Sequence, residues 1–324
     1  MILIGLGLAD IALETQGKGV VSLSAKALDH KVGISPDYNK GKERAQKVTD
    51  SEGVDVFYWV TSKPGMNKSM VVLHPGSSYN HTSFLGLEKK LNDLGHPTIV
   101  FDPRGFGYSE APAVSESFTL ENYTADLGRI IQKEGIETPI LLTCSFGFMP
   151  AVNYTAETKN TSKILGVSAT PCTKKTAPGE TQFEIFDRVG RYVLEYPGSV
   201  ATSLKHWITG TERGFPDQSV YEGKTDMDMF WTIADQPFRK LKMNTTSGRA
   251  INTWDVSNQL AQIEVPVHLV YGSKDMLIVP ETAGEYIKEM VKGKCTIDIV
   301  QNKEHMIATT NPTVVLEVLN KYLK

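Results

Sequence analysis

Three residues in this chain have the types and the spacing that nucleophilic acyl chemistry needs: Ser145, Asp275 and His305, in that order. Ser145 stands in Ile140-Leu141-Leu142-Thr143-Cys144-Ser145-Phe146-Gly147-Phe148, an apolar run that ends in small-x-Ser-x-Gly and leads into a segment able to start a helix. The pattern predicts a strand turning sharply into a helix with the serine at the apex. A serine hydroxyl is a weak nucleophile, so it must project from such a turn where a base can reach it. Gly147 gives the turn room. Thr143 stands where a glycine is usual, and its methyl and hydroxyl must be accommodated against the next strand. Tyr271-Gly272-Ser273-Lys274-Asp275 puts a carboxylate just past one strand end, and Gln301-Asn302-Lys303-Glu304-His305 puts an imidazole just past the last strand. His305 is then the general base and Asp275 the acid that orients it, because Glu304 adjoins the histidine and is badly placed to hold its ring.

Two further stretches fall at the same edge. His74-Pro75-Gly76-Ser77-Ser78 ends a strand, and its glycine lets backbone N–H groups turn inward. The N–H groups of Ser77 and Phe146 are the expected halves of an oxyanion hole. Asp102-Pro103-Arg104-Gly105-Phe106-Gly107-Tyr108-Ser109 reads as a structural loop buttressing the site, since no proton-transfer role is left for it. His74 is expected to hydrogen-bond its own loop, and His268, inside an apolar strand, to be a core residue. Asp275 has a structural reading as well, as a cap for the helix that begins near Pro280. Cys144 should point away from the cleft as its strand alternates.

These residues need a scaffold that brings strand ends together, and the chain has the rhythm of one. Strands are expected at Val54–Val60, Ser69–Leu73, Thr98–Asp102, from Ile140 into Ser145, and at Ile164–Ser168, Val265–Tyr271 and Cys295–Val300. The first, followed by Lys63-Pro64-Gly65, reads as part of an opening hairpin. Between the strands lie helices from about Ser83 to Leu94, from about Leu120 to Lys133 (capped by Thr119, stopped at Gly135), after Ser145, from Pro280, and at the C-terminus. Strands alternating with helices give an α/β fold with a mostly parallel central sheet and helices on both faces, whose active site lies at the carboxyl ends of the strands. Residues 1–172 and 263–324 form this core, with 1–50 as an N-terminal extension, and 35–53 within it as a surface connection. The interruption at 173–262 is too long for a loop and is assigned to a helical cap. It carries Phe183, Phe186, Tyr192, Tyr196, Trp207, Met227, Met229, Phe230 and Trp231, part of which should line an apolar acyl or alcohol pocket.

Taken together, the His74-Pro75-Gly76 loop, the D-x-R-G-x-G-x-S loop at Asp102–Ser109, the serine turn, the G-x-x-D at Gly272–Asp275 and the final His305 resemble the serine hydrolases of the α/β-hydrolase superfamily that carry an inserted cap. The resemblance runs from about Val54 to the C-terminus, and the order Ser, Asp, His is that of this superfamily. It implies hydrolysis of carboxylic esters of small to medium, largely apolar substrates through an acyl-enzyme, with no cofactor and no metal. Phe148 stands where such families often keep a small residue and is expected to narrow the pocket. C–C bond hydrolases, aminopeptidases and acyltransferases use the same triad, and a receptor can keep it with slow turnover. For an aminopeptidase, Asp226 and Asp228 are the only candidates to hold an α-amino group.

Composition sets the remaining bounds. A chain of 324 residues with 40% hydrophobic content can bury a large core. Its net charge of −3 gives no field for nucleic acid or an anionic membrane, so the expected partner is a small ester, with homo-oligomerisation left open. Cys144, Cys172 and Cys295 have no metal or disulfide spacing and suit a reducing compartment. The apolar Met1–Asp10 stretch lacks a basic leader and is too short to span a bilayer, and its Gly5 and Gly7 do not complete a dinucleotide loop. Sequons occur at Asn67, Asn80, Asn122, Asn153, Asn160 and Asn244, but Asn153 falls in the helix after Ser145, packed against the sheet. A cytoplasmic location is expected.

Overall fold

In the computed structural model of the chain, residues 43–65, 68–76, 79–112, 115–172, 221–226, 250–251, 253–275 and 277–323 are described. Along them run β1 (Gln46–Thr49), β2 (Asp55–Thr61), β3 (Val71–His74), α1 (Leu85–Asp93), β4 (Thr98–Phe101), α2 (Leu120–Lys133), β5 (Ile140–Cys144) and α3 (Phe148–Thr158). There follow β6 (Lys163–Val167), α4 (Ser257–Leu260), β7 (Val267–Gly272), α5 (Pro280–Met290), β8 (Cys295–Val300), α6 (Ile307–Thr310) and α7 (Pro312–Leu319). The strands make one eight-stranded sheet in the order β1-β2-β4-β3-β5-β6-β7-β8. β2 pairs antiparallel with β1 and β4, and the other pairings are parallel.

The inner strands β3, β4, β5 and β7 are buried along their whole length, as near-continuous apolar runs must be when both faces of a parallel sheet are covered. On one face, Leu120 and Tyr123 of α2, Met149 and Val152 of α3 and Ala283 and Ile287 of α5 cluster with Ile164, Val267, Leu269 and Tyr271 of the sheet. On the other, Leu87 and Leu91 of α1 and Val315 and Leu319 of α7 pack on Leu73, Leu142, Cys144, Val167 and Val270. The α2 stripe of Tyr123, Leu127, Ile130 and Ile131 has helical spacing, and Thr119 accepts the Asn122 N–H at 3.1 Å as its cap. Gly135, at φ 62°, lies just past its end.

Two local expectations change. The 35–53 stretch is not wholly a connection: its last part is strand β1, which pairs with β2 from Gln46↔Tyr58 to Thr49↔Asp55. The opening hairpin therefore turns at Asp50–Gly53 rather than after β2, with Gly53 at φ 82°. An edge strand of four residues, all but Val48 exposed, carries no alternation long enough to read. Phe148 is fully buried in the core cluster and packs over Gly166 of β6, whose missing Cβ leaves the ring its space. His268 and Asn153 are buried as expected. His268 Nδ1 lies 2.8 Å from Thr296 Oγ1 and its ring stacks on Tyr322, while Asn153 Nδ2 donates to Glu157 and Thr124.

Of the interruption after β6, Tyr221–Asp226 and most residues from 250 onward are described, and Phe183 to Trp207 and Met227 to Trp231 lie outside the described residues. Cys172 and Asp255 form an antiparallel bridge, and Val256 N–H donates to Pro171 O at 3.0 Å. The interruption thus leaves and returns at one place. Ile251, Trp254, Val256 and Leu260 already belong to the core cluster. Among the described residues no helix is long and apolar enough to cross a membrane.

Candidate active site

β5 ends at Cys144, and the chain turns through Ser145–Gly147 directly into α3. Ser145 takes φ 52°, a left-handed conformation that costs a side-chain-bearing residue of order 1–3 kcal/mol and lifts its hydroxyl out of the turn. The turn is possible because Gly147 has no side chain: a Cβ there would lie 2.5 Å from Pro75 O and 2.6 Å from His74 Nδ1. A Cβ on Gly76 would likewise stand 3.2 Å from the Ser145 Cβ, so the loop after β3 lies against the serine. Thr143 is accommodated as its chemistry requires, with Oγ1 donating to Leu165 O of β6 at 3.4 Å. Cys144 faces the α1/α7 side of the sheet, where it is buried.

Two other strand ends bring their residues to Ser145. His305 Nε2 is 3.1 Å from Ser145 Oγ, and His305 Nδ1 is 2.8 Å from Asp275 Oδ2 and 3.1 Å from Oδ1. With Nδ1–H donating to the carboxylate, Nε2 is the acceptor for the serine proton. Asp275 does not cap α5, whose N-cap Val279 has no side-chain hydrogen bond; instead its Oδ1 accepts the N–H groups of Leu277 and Ile278 at 3.0 and 2.8 Å in the loop ahead of that helix. The carboxylate is thus fixed on both sides. Glu304 does not approach the ring as a hydrogen-bond partner; its Oε2 accepts the Asp226 N–H at 2.7 Å.

The loops carrying acid and base are tied to one another. Lys274 N–H donates to Lys303 O at 2.8 Å, and Asn302 N–H to Ser273 Oγ at 2.9 Å. A Cβ on Gly272 would stand 2.2 Å from Lys303 O, so only glycine permits this approach. Ser168, at the end of β6 with φ 48°, donates its hydroxyl to His305 O at 2.8 Å. Nothing in the sequence singled out Ser168 for this, because its partner lies far along the chain.

Residues 70–307 match the family described as the alpha/beta hydrolase fold. The chain belongs to that family. Among its curated relatives are a "Karrikin insensitive 2 receptor IA" of Petunia hybrida, 27% identical over 63% of this chain and 72% of that protein, and a proline iminopeptidase of Saccharolobus solfataricus, 24% identical over 84% and 89%. Among solved structures, an esterase from Exiguobacterium antarcticum superposes with a TM-score of 0.65 at 19% identity, covering 86% of this chain and 98% of that one.

The electrostatics of this alpha/beta hydrolase site follow from its burial. Burial opposes a charge on His305, but the Asp275 carboxylate, by its field and its hydrogen bond, and the field of Asp226 together raise the imidazole above its ordinary range. Asp226 is itself buried, and its carboxyl is pushed up to about 7 by desolvation, with the His305 charge and the Met306 N–H working against the rise. His74 is held neutral, its pKa lowered to about 4 by burial. Its Nδ1 lies 2.9 Å from Pro75 O, so it bonds its own loop, while Nε2 has no partner among the described residues and the ring edges against Phe101 and Phe146. Desolvation raises the Cys144 thiol far above its ordinary value, which leaves it a packing residue.

Of the two expected oxyanion donors, Phe146 follows Ser145 at the start of the helical turn, its ring buried between Tyr123, His74 and Trp254. Ser77 lies outside the described residues, as does Asp228. The Asp102–Ser109 loop is knit internally: Asp102 Oδ2 accepts the Tyr108 N–H at 2.7 Å, and Arg104, fully buried, donates to Asp126 and Asp50. Among the described residues no group of three or more His, Cys, Asp or Glu side chains could hold a metal ion.

Proposed function

We propose that the protein is a serine hydrolase that cleaves carboxylic esters of small to medium, largely apolar substrates through an acyl-enzyme. The observation that carries this reading is the unbroken chain from Ser145 Oγ through the His305 ring to Asp275. Ser145 Oγ attacks the ester carbonyl carbon as its proton passes to His305 Nε2. Asp275 keeps Nδ1–H in place and offsets the charge of the imidazolium. The carbonyl oxygen becomes an oxyanion, held by the N–H groups of Phe146 and Ser77. The bond to the alcohol then breaks, and His305 returns its proton to the departing alkoxide. Water next gives a proton to His305 while its oxygen attacks the acyl carbon. Ser145 leaves with that proton and the carboxylic acid is released.

Of the two carboxylates considered for an α-amino group, Asp226 is buried with its Oδ1 accepting the Met306 N–H at 2.9 Å, and Asp228 lies outside the described residues, so turnover decides between esters and aminoacyl substrates. The test is covalent labelling with a fluorophosphonate, together with turnover of a panel of acyl esters, aminoacyl anilides and thioesters. Stoichiometric labelling at Ser145, lost in Ser145→Ala, with multiple turnovers on acyl esters, is expected. Labelling that survives Ser145→Ala would overturn the assignment. Faster turnover of proline or leucine anilides would replace the esterase reading by an aminopeptidase, and a single slow turnover would replace it by a receptor.

A further inference from the structure

The ester mechanism leaves one buried carboxylate beside the base unused. Asp226 belongs to the described segment Tyr221–Asp226, contributed by the interruption between β6 and β7, and its side chain is only 6% exposed. Two hydrogen bonds bind it to the residues on either side of His305. The Met306 N–H donates to Asp226 Oδ1 at 2.9 Å, and the Asp226 N–H donates to Glu304 Oε2 at 2.7 Å. The segment is anchored again three residues earlier, where the Gly223 N–H donates to Thr310 O at 2.7 Å. His305 is therefore held at the ring by Asp275 and at the carbonyl by Ser168, while Asp226 holds its two neighbours, the Met306 N–H through its carboxylate and the Glu304 side chain through its N–H.

We infer that Asp226 is a positioning residue for the base: its carboxylate fixes the backbone N–H of Met306, directly after His305, and supplies a second negative charge that stabilises the imidazolium formed as Ser145 attacks. The inference rests on the reading of Ser145, His305 and Asp275 as the reacting triad. The groups whose charge Asp226 senses are His305 and Glu304 on the loop after β8 and Asp275 on the loop after β7, and its own charge reaches Cys144 on β5. Glu304 and Asp275 oppose its ionisation, and His305 and the Met306 N–H favour it. A carboxyl pushed up to about 7 becomes charged as pH rises through neutrality, the range in which an imidazole gives up its proton. Asp226 and His305 then titrate as a pair.

Asp226→Asn and Asp226→Ala separate the two parts of the role. The asparagine keeps an oxygen for the Met306 N–H and loses the charge, whereas alanine loses both. For Asp226→Asn the acid limb of the kcat/KM profile should move to lower pH, because the imidazolium has lost a stabilising neighbour. Its plateau kcat should fall about tenfold or more at little change in KM, as expected when an interaction made with the developing imidazolium rather than with the bound substrate is lost. Asp226→Ala should fall about tenfold further. An Asp226→Asn profile superimposable on that of wild type would overturn the inference.

Should the variants not fold, nuclear magnetic resonance titration of the wild-type protein decides. The His305 ring nitrogens should titrate in two coupled steps with a carboxyl carbon near neutral pH, and a single step with no such carboxyl would overturn it. Ser145→Ala, measured alongside, keeps the two readings apart. Turnover surviving that change sinks the triad, whereas a silent Asp226→Asn beside a dead Ser145→Ala sinks only the role of Asp226.

Discussion

Replacing Asp275 by asparagine probes the site more finely than deleting it, because the surroundings dictate how the new amide must sit. Oδ1 accepts the backbone N–H groups of Leu277 and Ile278 at 3.0 and 2.8 Å, so the amide oxygen has to remain there. The opposite orientation would turn an NH₂ toward two backbone donors and leave them unmade, at about 1–3 kcal/mol each. The NH₂ therefore takes the place of Oδ2, 2.8 Å from His305 Nδ1. Two donors cannot face each other, so Nδ1 must become the acceptor and the ring proton moves to Nε2. Nε2–H then points at Ser145 Oγ, 3.1 Å away, and cannot take its proton. A wrong tautomer of this kind costs about 10⁴-fold in kcat, or ~5 kcal/mol of transition-state stabilisation. Steady-state kinetics on an acyl ester should show that loss with KM little changed, and fluorophosphonate labelling of Ser145 should slow in parallel. Activity within about tenfold of wild type would refute the reasoning. So would equal damage from Glu304→Gln, whose carboxylate serves Asp226 instead of the ring.

The other expectations are shorter. Gly147→Ala should abolish activity and lower stability by about 3 kcal/mol or more, because the added methyl meets backbone oxygens at 2.5 and 2.7 Å that cannot move aside; a thermal melt within a few degrees of wild type would contradict it. Cys144→Ala should keep most of the activity and cost roughly 1 kcal/mol of core packing, and a loss as deep as that of Ser145→Ala would reverse the view of this residue. Stability should also respond to Asp226. Its folded pKa of about 7 lies above the unfolded 3.8, so its contribution is fully present below pH 3.8 and is lost as pH rises to 7 and beyond, by about 4 kcal/mol at most. Asp226→Asn should therefore gain in Tm over wild type as pH goes from 5 to 8, and a gap that stays constant or closes would count against a buried charge there.

What could be read from the chain was what is written locally. The turn at Ser145, the cap at Thr119 and the strand Cys295–Val300 are each set by residues a few positions apart, the order of Ser145, Asp275 and His305 is read straight along the chain, and the fold class follows from the alternation of strands and helices. The elements that escaped depend on partners far away. β1 is a strand only because β2 is there to pair with it. Phe148 is a core residue rather than a pocket wall because Gly166, on another strand, makes room for it. Asp226 drew notice as a carboxylate for an amine, yet it binds a peptide N–H eighty residues on, a contact that no periodicity encodes.

The parallel order of the sheet explains how residues so far apart can be held within hydrogen-bond distance of one another. β3, β5, β6, β7 and β8 run side by side with their carboxyl ends at one edge, and each sends one group to the same spot: the His74–Gly76 loop, Ser145, Ser168, Asp275 and His305. Two of these, Ser145 and Ser168, sit at φ 52° and 48° at the ends of adjacent strands, so the backbone is strained where the chemistry is placed. Glycine would adopt the Ser168 conformation without strain, but it could not hold the His305 carbonyl, which the serine hydroxyl reaches at 2.8 Å. The Ser168 N–H is meanwhile committed to Val270 O at 2.8 Å, so the strand beside it fixes the strained turn in place. At this position local stability is given up for a base whose backbone is fixed before substrate arrives, and the clamp from Asp226 repeats the same exchange with a buried charge in place of a strained dihedral.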